Sequence, residues 1–258
     1  MNQIIVCTPK SLPATLWISA AKKAMEVNPA NQAAVEQVAL ALGALPLEPA
    51  RIAVLVGKRW PSAGVRLTVG FLDNPLADLR TRILLHMNAW GKTANVQFVE
   101  TKVNPQVRIA RTEDGYWSYL GTDILQIPND QPTMNLQEFT MDTPESEFHR
   151  VVRHETGHTL GFPHEHMRRE LVNRIDPQKA LDYFGKTQGW SPDEVRRQVL
   201  TPIEESSLLG TTHADPNSIM CYQIPGLITK DGEPIAGGVD IDESDYRFAQ
   251  SIYPKMLH

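Results

Sequence analysis

The sequence predicts an α+β fold in which a twisted sheet is backed by helices. At 258 residues the chain is long enough for one large domain or for two lobes about a cleft. Short β-rich runs separated by turn-forming residues alternate with an amphipathic helical stretch at residues 73–90. The order strand, helix, strand, strand is typical of a sheet covered by helices. The β-rich runs lie at residues 52–56, 65–71, 96–100 and 107–111.

Two further stretches extend this pattern toward the middle of the chain. Residues 115–121 read Gly-Tyr-Trp-Ser-Tyr-Leu-Gly, and aromatics between glycines fit an edge strand that could pair with an extended peptide. A packed hairpin is the alternative. Another strand is expected at residues 134–139. Thr143 followed by Pro144, with acidic residues in the first turn, then predicts a helix over residues 144–160.

The end of that helix contains the pattern His-Glu-x-x-His-x-x-Gly-x-x-His. On a helix, His154 and His158 lie on one face and can share a metal ion. Gly161 can adopt a left-handed conformation, which ends the helix and turns His164 toward the same ion. Three neutral imidazoles with one open position are typical of a catalytic zinc, whereas a structural zinc has four protein ligands. The sequence therefore predicts one catalytic Zn2+.

Glu155 lies about 100° round the helix from the first ligand, so it flanks the open side of the metal. Zinc lowers the pKa of a bound water toward about 7, and a neighbouring carboxylate can accept its proton during attack on a carbonyl. We therefore expect Glu155 to be the general base and then to protonate the leaving amine. The alternative is a chance spacing of core or surface histidines.

Composition argues against several other classes of function. A net charge of -5 gives no electrostatic reason to expect nucleic acid. No apolar stretch approaches the 18 or so residues of a membrane span, and residues 12–21 make a poor signal peptide because they contain Pro13. Only Cys7 and Cys221 are present, so no disulfide framework is expected. These features predict a cytoplasmic protein, with non-classical secretion as the alternative.

Residues 1–50 differ from the rest in being rich in Ala, Leu and Lys, with helices predicted near residues 13–27 and 29–42. Two interpretations stay open. The segment could be a helical extension packed on the main body, or a pro-segment that plugs the cleft. In the second case Cys7 could donate a thiolate to the zinc, although nothing in the sequence fixes where it lies.

Beyond His164 the pattern becomes less regular. Residues 191–194, Ser-Pro-Asp-Glu, form a capping box for a helix to about residue 200. Gly, Pro and Asp then cluster between residues 210 and 238, which indicates loops. Residues 242–245 are expected to cap a final helix.

Four ordered motifs resemble those of the metzincin metallopeptidases and, among them, the astacin family. Residues 161–168 are similar to that family's Gly-Phe-x-His-Glu-His-x-Arg, which extends the zinc motif. Residues 218–222, Ser-Ile-Met-Cys-Tyr, resemble the Met-turn and its tyrosine, usually Ser-Ile-Met-His-Tyr. Residues 115–121 resemble the Gly-Cys-Trp-Ser-Tyr-Val-Gly edge strand, and residues 240–253 the closing helix. The resemblance covers about residues 57–255.

The resemblance implies a metzincin-like, two-lobed metallopeptidase in which residues 51–258 form the catalytic domain. The N-terminal lobe, 51–161, would hold a twisted five-stranded mixed sheet and two long helices. The C-terminal lobe, 162–258, would be irregular and end in a helix. Residues 1–50 would precede this domain as the extension or pro-segment.

It also implies roles for individual residues. Met220 would lie beneath the histidines, and Tyr222 would be a displaceable fifth metal ligand that stabilises the oxyanion. A peptide would lie extended along Trp117, Ser118 and Tyr119.

Several positions depart from the family pattern. Cys221 replaces the usual histidine of the Met-turn, and Tyr116 replaces a family cysteine. Glu165 occupies the place that receives a newly formed amino terminus in the family, so here it needs another partner unless the chain is cleaved. The family's aspartate-bearing pro-segment motif is not visible in residues 1–50.

The sequence thus predicts a zinc endopeptidase that acts on a peptide or protein through a metal-activated water, with no nucleic-acid or membrane partner. The alternative from another class is a non-catalytic, zinc-stabilised peptide-binding module that uses the edge strand 116–120. A third hypothesis is a zinc amidase acting on cell-wall or other non-protein amides, which needs similar chemistry. Turnover of an unfolded protein that a chelator abolishes separates the first two.

Overall fold

The computed structural model describes residues 7, 10–31, 57–202 and 214–255. These ranges contain the predicted sheet, and the expected strand at 52–56 and most of the expected helix at 29–42 lie outside them. The β-rich runs at 65–71, 96–100 and 107–111 and the edge strand form close to where the sequence predicts them, whereas the strand expected at 134–139 ends at Leu136. The five strands are β1 Val65–Phe71, β2 Val96–Glu100, β3 Val107–Ala110, β4 Tyr116–Ser118 and β5 Met134–Leu136.

The sheet is mixed, as predicted, with the strand order β2-β1-β3-β5-β4. β1 pairs parallel with β2 and β3, and β3 pairs parallel with β5. β4 alone runs antiparallel, pairing with β5 at the edge of the sheet. In β1 the buried residues Val65, Leu67 and Val69 alternate with more exposed ones, whereas every residue of β3 and β5 is buried. One side of β4 is thereby left for an extended chain.

The helices surround this sheet and continue into the C-terminal lobe. Helix α3 runs without a break over residues 145–159, with a π turn at Phe148–Val152 between its two α segments. It begins one residue later than expected, because Pro144 and not Thr143 is its N-cap. The others are α1 Trp17–Val27, α2 Ala77–Met87, α4 Arg169–Val172, α5 Pro177–Gln188, α6 Pro192–Val195 and α7 Glu243–Ile252.

Helix α5 was missed by the sequence analysis, although its signals are present. Asp176 caps its first turn by accepting from the backbone N–H groups of Gln178 and Lys179, and Pro177 occupies the first helical position. Gly189 ends it with a φ of 68°. The capping box predicted at Ser191 forms, and the cap predicted at residues 242–245 forms as a capping box at Asp242.

Two apolar cores lie on either side of the end of α3. The larger packs the sheet against α2, α3 and α7, and its fully buried side chains include Trp90, Phe148 and Tyr253. Each such side chain contributes about 1.5–3 kcal/mol by leaving water. The smaller core lies in the C-terminal lobe around Phe184 and also takes in Cys7. Among the described residues no helix is long and apolar enough to cross a membrane.

Candidate metal centre

Three imidazoles meet at the end of α3. His154 and His158 lie on one face of the helix, and Gly161, with a φ of 92°, turns the chain so that His164 joins them. The Nε2 atom of His164 lies 3.1 Å from that of His154 and 3.0 Å from that of His158. All three side chains are buried. The structure therefore brings together the three ligands that the sequence predicts.

Backbone carbonyls fix the orientation of two of these rings. Nδ1 of His154 lies 2.6 Å from the carbonyl oxygen of Ile219, and Nδ1 of His158 lies 2.8 Å from that of Phe162. Each ring therefore donates from Nδ1 and turns an unprotonated Nε2 toward the shared point. Burial lowers the pKa of His158 to about 4 and that of His154 well below its usual value, which keeps both imidazoles neutral.

This arrangement fits a zinc ion. The Nε2 atoms of His154 and His158 both lie about 3 Å from Nε2 of His164, which can donate a proton to only one of them, whereas a shared cation would satisfy all three. Zinc–nitrogen bonds of about 2.0–2.1 Å in a tetrahedron separate neighbouring ligand atoms by about 3.3 Å, close to the observed spacing. His154, His158 and His164 are therefore suited to hold the family's zinc.

Glu155 lies beside the triad and is almost completely buried. Its Oε2 atom has no hydrogen-bond partner among the described residues, while the carboxylate accepts from the thiol of Cys7. Burial raises the pKa of Glu155 to about 8. A zinc ion at the triad would favour the ionised form of Glu155, and the carboxylate, with one free oxygen beside the three ligands, would then be a suitable proton acceptor.

Met220 lies directly under the metal helix. A Cβ atom added to Gly157 would lie 2.4 Å from the sulfur of Met220, so glycine permits this close approach. Asp245 stabilises the Met-turn at residues 218–222. Its carboxylate accepts hydrogen bonds from the Ser218 hydroxyl at 2.6 Å and from the Ile219 N–H at 2.9 Å. Since the Ile219 carbonyl orients His154, Asp245 supports a metal ligand through one intermediate residue.

Tyr222 lies against the third ligand. Its ring centroid is 4.3 Å from that of His164 and 4.0 Å from that of His166, on which it stacks. The phenol donates a hydrogen bond to the carbonyl oxygen of Cys7. Its predicted role as a displaceable metal ligand stays a prediction, because in this structure the hydroxyl is engaged by the N-terminal segment.

Cys7, whose position the sequence did not fix, lies beside the triad. Its Sγ atom and the Nε2 atoms of His154, His158 and His164 all lie within 4.8 Å of one another, and the thiol is buried. The position that the sequence predicts to be open therefore faces a fourth potential ligand from the N-terminal segment. No local pattern could have located it, because the contact joins distant parts of the chain.

The same segment covers the edge strand. Lys10 forms a parallel β-bridge with Tyr119, and its ammonium lies 4.5 Å from the ring centroid of Trp117. Leu12 is buried in a small apolar cluster that also includes Tyr119. Trp117 and Ser118, two of the residues predicted to contact a substrate, are buried. The predicted peptide-binding strand is thus already paired with part of the chain itself.

Glu165 and Cys221 have partners outside the metal cluster. Glu165 forms an ion pair with Arg168 at 2.5 Å and accepts from the backbone N–H of Asp215 at 3.2 Å. Arg168 is therefore the alternative partner that the sequence required. Cys221 is buried, and its Sγ lies 3.6 Å from the carbonyl oxygen of Tyr222.

A second cluster of potential ligands was missed from the sequence. It consists of His86, Glu145 and His149, and it lies where α2 meets the start of α3. The spacing of Glu145 and His149, four apart on one helix, was a usable signal. His86 comes from another helix, so only the fold reveals it.

Comparison with known proteins agrees with this geometry. The model of the peptidase family Astacin matches residues 55–180. The zinc metalloproteinase nas-27 of Caenorhabditis elegans is 36% identical over 148 residues, which are 48% of this chain and 32% of that protein. The chain thus spans about a third of the length of this curated relative.

Solved structures extend the similarity over most of the chain. One structure of myroilysin has a TM-score of 0.72 at 30% identity, covering 78% of this chain and 97% of that one. A second, also 30% identical, has a TM-score of 0.59 and covers 77% and 86%. High choriolytic enzyme 1, a hatching enzyme zinc-protease from the medaka fish Oryzias latipes, has a TM-score of 0.53 at 17% identity, covering 79% and 96%, and supports the fold alone.

The motifs, the geometry and the match to nearly the whole myroilysin chain lead to one conclusion. This protein belongs to the astacin family of zinc metallopeptidases.

Proposed function

We propose that the chain is a zinc endopeptidase that hydrolyses internal peptide bonds with Glu155 as the general base. The observation that supports it most is the buried Glu155 carboxylate, with one free oxygen, beside three converging imidazoles. Zinc held by His154, His158 and His164 would supply Lewis-acid polarisation of the substrate carbonyl and acidify the attacking water.

The chain's own residues would carry the remaining steps. Glu155 accepts a proton from the attacking water and returns it to the leaving nitrogen, which needs a carboxylate within reach of both. The Tyr222 phenol, once released from the Cys7 carbonyl, donates a hydrogen bond to the oxyanion in a site that excludes bulk water. Backbone groups of β4 pair with the extended substrate and hold its scissile bond at the triad.

We also propose that the N-terminal segment keeps this enzyme latent. The described residues of this segment occupy the metal centre, the Tyr222 hydroxyl and the edge strand. The Cys7 thiol faces the triad and Glu155, the Cys7 carbonyl binds the Tyr222 hydroxyl, and Lys10 pairs with the edge strand. Because the segment belongs to the same chain, its effective concentration at the cleft is high, and a substrate has to displace it.

Latency can be tested in the full chain with an unbiased peptide library, read by mass spectrometry. Cys7→Ala should raise the cleavage rate about tenfold or more, since it removes the thiol at the metal centre without altering any triad residue. Cys221→Ala is the matched control, because this second buried thiol is outside the cluster and its removal should not raise activity. Equal rates for the wild type and Cys7→Ala would contradict latency through this thiol.

The catalytic role of Glu155 is best tested in the Cys7→Ala background, where latency does not mask it. Glu155→Gln should retain zinc and lose about 10²–10⁴-fold in rate, because the amide cannot accept the proton. Zinc content measured on the same sample separates a catalytic defect from loss of metal. Cleavage that survives the substitution with zinc bound would refute the assignment of the base.

The same digestion decides between the enzyme and the peptide-binding module. Hydrolysis of an unfolded protein, lost with a chelator and restored by zinc, is expected only of the enzyme. Family membership favours the enzyme over the binding module. A screen of non-peptide amides addresses the zinc amidase alternative.

A further inference from the structure

The cluster of His86, Glu145 and His149 has the spacing of a metal site. Its three ligand atoms lie within 4.8 Å of one another. Oε1 of Glu145 is 3.1 Å from Nε2 of His86 and 3.4 Å from Nε2 of His149. A tetrahedral zinc site with one oxygen ligand and two nitrogen ligands separates neighbouring ligand atoms by about 3.3 Å. The two distances from Glu145 need little adjustment to reach that value, and the two imidazole nitrogens lie within 4.8 Å of each other.

A second, independent observation comes from His86. The residue is only 2% exposed, and its Nε2 has no hydrogen-bond partner among the described residues. The carboxylate of Glu145 is near it, but the two groups are not aligned for a hydrogen bond. A buried nitrogen that points into a cluster of ligands without a partner is costly unless something else binds it. Burial lowers the pKa of His86 to about 4, so its imidazole is neutral at pH 7.

The second imidazole is oriented in the way that metal ligands commonly are. Nδ1 of His149 lies 2.8 Å from a carboxylate oxygen of Asp240, so this nitrogen carries the proton and Nε2 faces the cluster. A carboxylate behind a histidine ligand fixes its tautomer and raises its basicity. Glu145 has a free side, since its carboxylate is 58% exposed and only Oε2 is held by Arg82.

Arg153 is the competitor for this site. Its Nε lies 3.3 Å from Nδ1 of His86 and its Nη2 lies 3.3 Å from Nε2 of His149, while its Nη1 pairs with Asp240. A metal ion would need the Nε2 lone pairs of both rings, which moves the proton of His86 to Nδ1. Both ring contacts of Arg153 would then break, while its pair with Asp240 can remain. Metal and guanidinium therefore exclude each other at the two imidazoles.

We propose that His86, Glu145 and His149 form a second site for a divalent transition metal of the zinc type, separate from the catalytic triad and in competition with Arg153. Two nitrogen ligands and one carboxylate oxygen suit zinc, and water would complete the coordination. The nearby guanidinium makes this site weaker than the catalytic one, so it would fill when free zinc is in excess.

The test is a zinc titration of the full chain by equilibrium dialysis, with metal counted by mass spectrometry. Two zinc ions per chain are expected for the wild type and one for Glu145→Gln. The matched control is Glu147→Gln, two residues along the same helix, whose carboxylate pairs with Arg150 and which should keep both ions. Arg153→Gln should bind the second ion about tenfold more tightly, because it removes the competing cation.

Each outcome bears on the proposal directly. A second zinc that survives both Glu145→Gln and His149→Gln lies elsewhere and overturns it, as does a wild type that never binds more than one ion. Thermal unfolding of each variant without added metal checks that the fold is intact, and Glu145 is exposed enough to tolerate the change. No activity is measured, so failure here is distinct from failure of the proposed peptidase.

Discussion

Two three-residue clusters each take two of their members from helix α3, and they differ in what holds them. In the triad the rings of His154 and His158 donate to backbone carbonyls, and all three rings are buried. In the second cluster His149 is a third exposed and is oriented by Asp240, while Arg153 contacts both imidazoles. The ligand atoms have similar spacing in the two clusters.

The difference shows that spacing alone does not set the strength of a metal site. A backbone carbonyl carries no net charge and cannot rotate away without disturbing the fold, so it orients a ring at little cost. A guanidinium next to the ligands both repels a cation and competes for the nitrogen lone pairs. We therefore expect the triad to bind zinc far more tightly than the second cluster.

The largest effect should come from removing a triad ligand. His158→Ala is expected to weaken the tight zinc site on the order of 10³-fold or more and to abolish hydrolysis, because a buried site with two imidazoles holds zinc poorly. The measurement is zinc affinity by competition with a chelator, together with cleavage of an unfolded protein in the Cys7→Ala background.

His149→Ala is the counterpart of that change in the second cluster. It should leave the tight zinc and the hydrolysis in place, because His149 contacts none of the triad ligands. If the two alanine variants lost the tight zinc equally, the distinction between the clusters would be wrong.

The comparison also separates what the sequence could predict from what it could not. The triad is local: two ligands four apart on a helix and a glycine that turns the third are visible without any tertiary contact. The strands, the metal helix, the capping box at Ser191 and the cap at residues 242–245 were predicted for the same reason, since each depends on short-range periodicity or caps. Helix α5 had equally local signals and was overlooked.

Contacts between distant segments could not be predicted in this way. Cys7 lies at the triad and Lys10 pairs with the edge strand, and no pattern near Cys7 specifies either contact. His86 meets Glu145 through the packing of two helices. Cys7 could be considered as a ligand from the sequence, but its position depended on the fold.

A smaller effect is expected at Asp245, which supports His154 through Ile219. Asp245 accepts three hydrogen bonds, from Ser218, Ile219 and the backbone N–H of Asp242, yet burial raises its pKa to about 6. The ordinary value of about 3.9 applies to the unfolded chain, so the folded state holds this proton more tightly. The stabilisation is complete below pH 4 and is lost as the pH rises through 6, by about 3 kcal/mol in all.

Asp245→Asn isolates this contribution because the amide does not titrate. The free energy of unfolding of the wild type minus that of the variant should fall by about 2 kcal/mol of this total between pH 4 and pH 7, measured by urea denaturation. Asp231→Asn is the control: the Asp231 carboxylate is exposed and its pKa is lowered to about 2, so it should show no such fall in this range. A difference that stays constant for Asp245 would mean that its pKa is not raised in the fold.

The smallest of these effects concerns the close contact between Gly157 and Met220 beneath the triad, which has no counterpart in the second cluster. Gly157→Ala places a methyl group 2.4 Å from the Met220 sulfur and 3.2 Å from a ring carbon of Trp90, so one of these buried side chains must move. Overpacking of this kind costs about 2 kcal/mol in the free energy of unfolding, offset in part by the better helix propensity of alanine. Gly185→Ala, whose added Cβ atom would have its nearest neighbour at 3.7 Å, should be neutral or stabilising.

In a Met220→Ala background the cost of Gly157→Ala should largely disappear, since the sulfur atom that the new methyl group meets is gone. An undiminished cost in the double variant would show that Met220 is not what limits position 157, and that the Met-turn supports the triad in some other way.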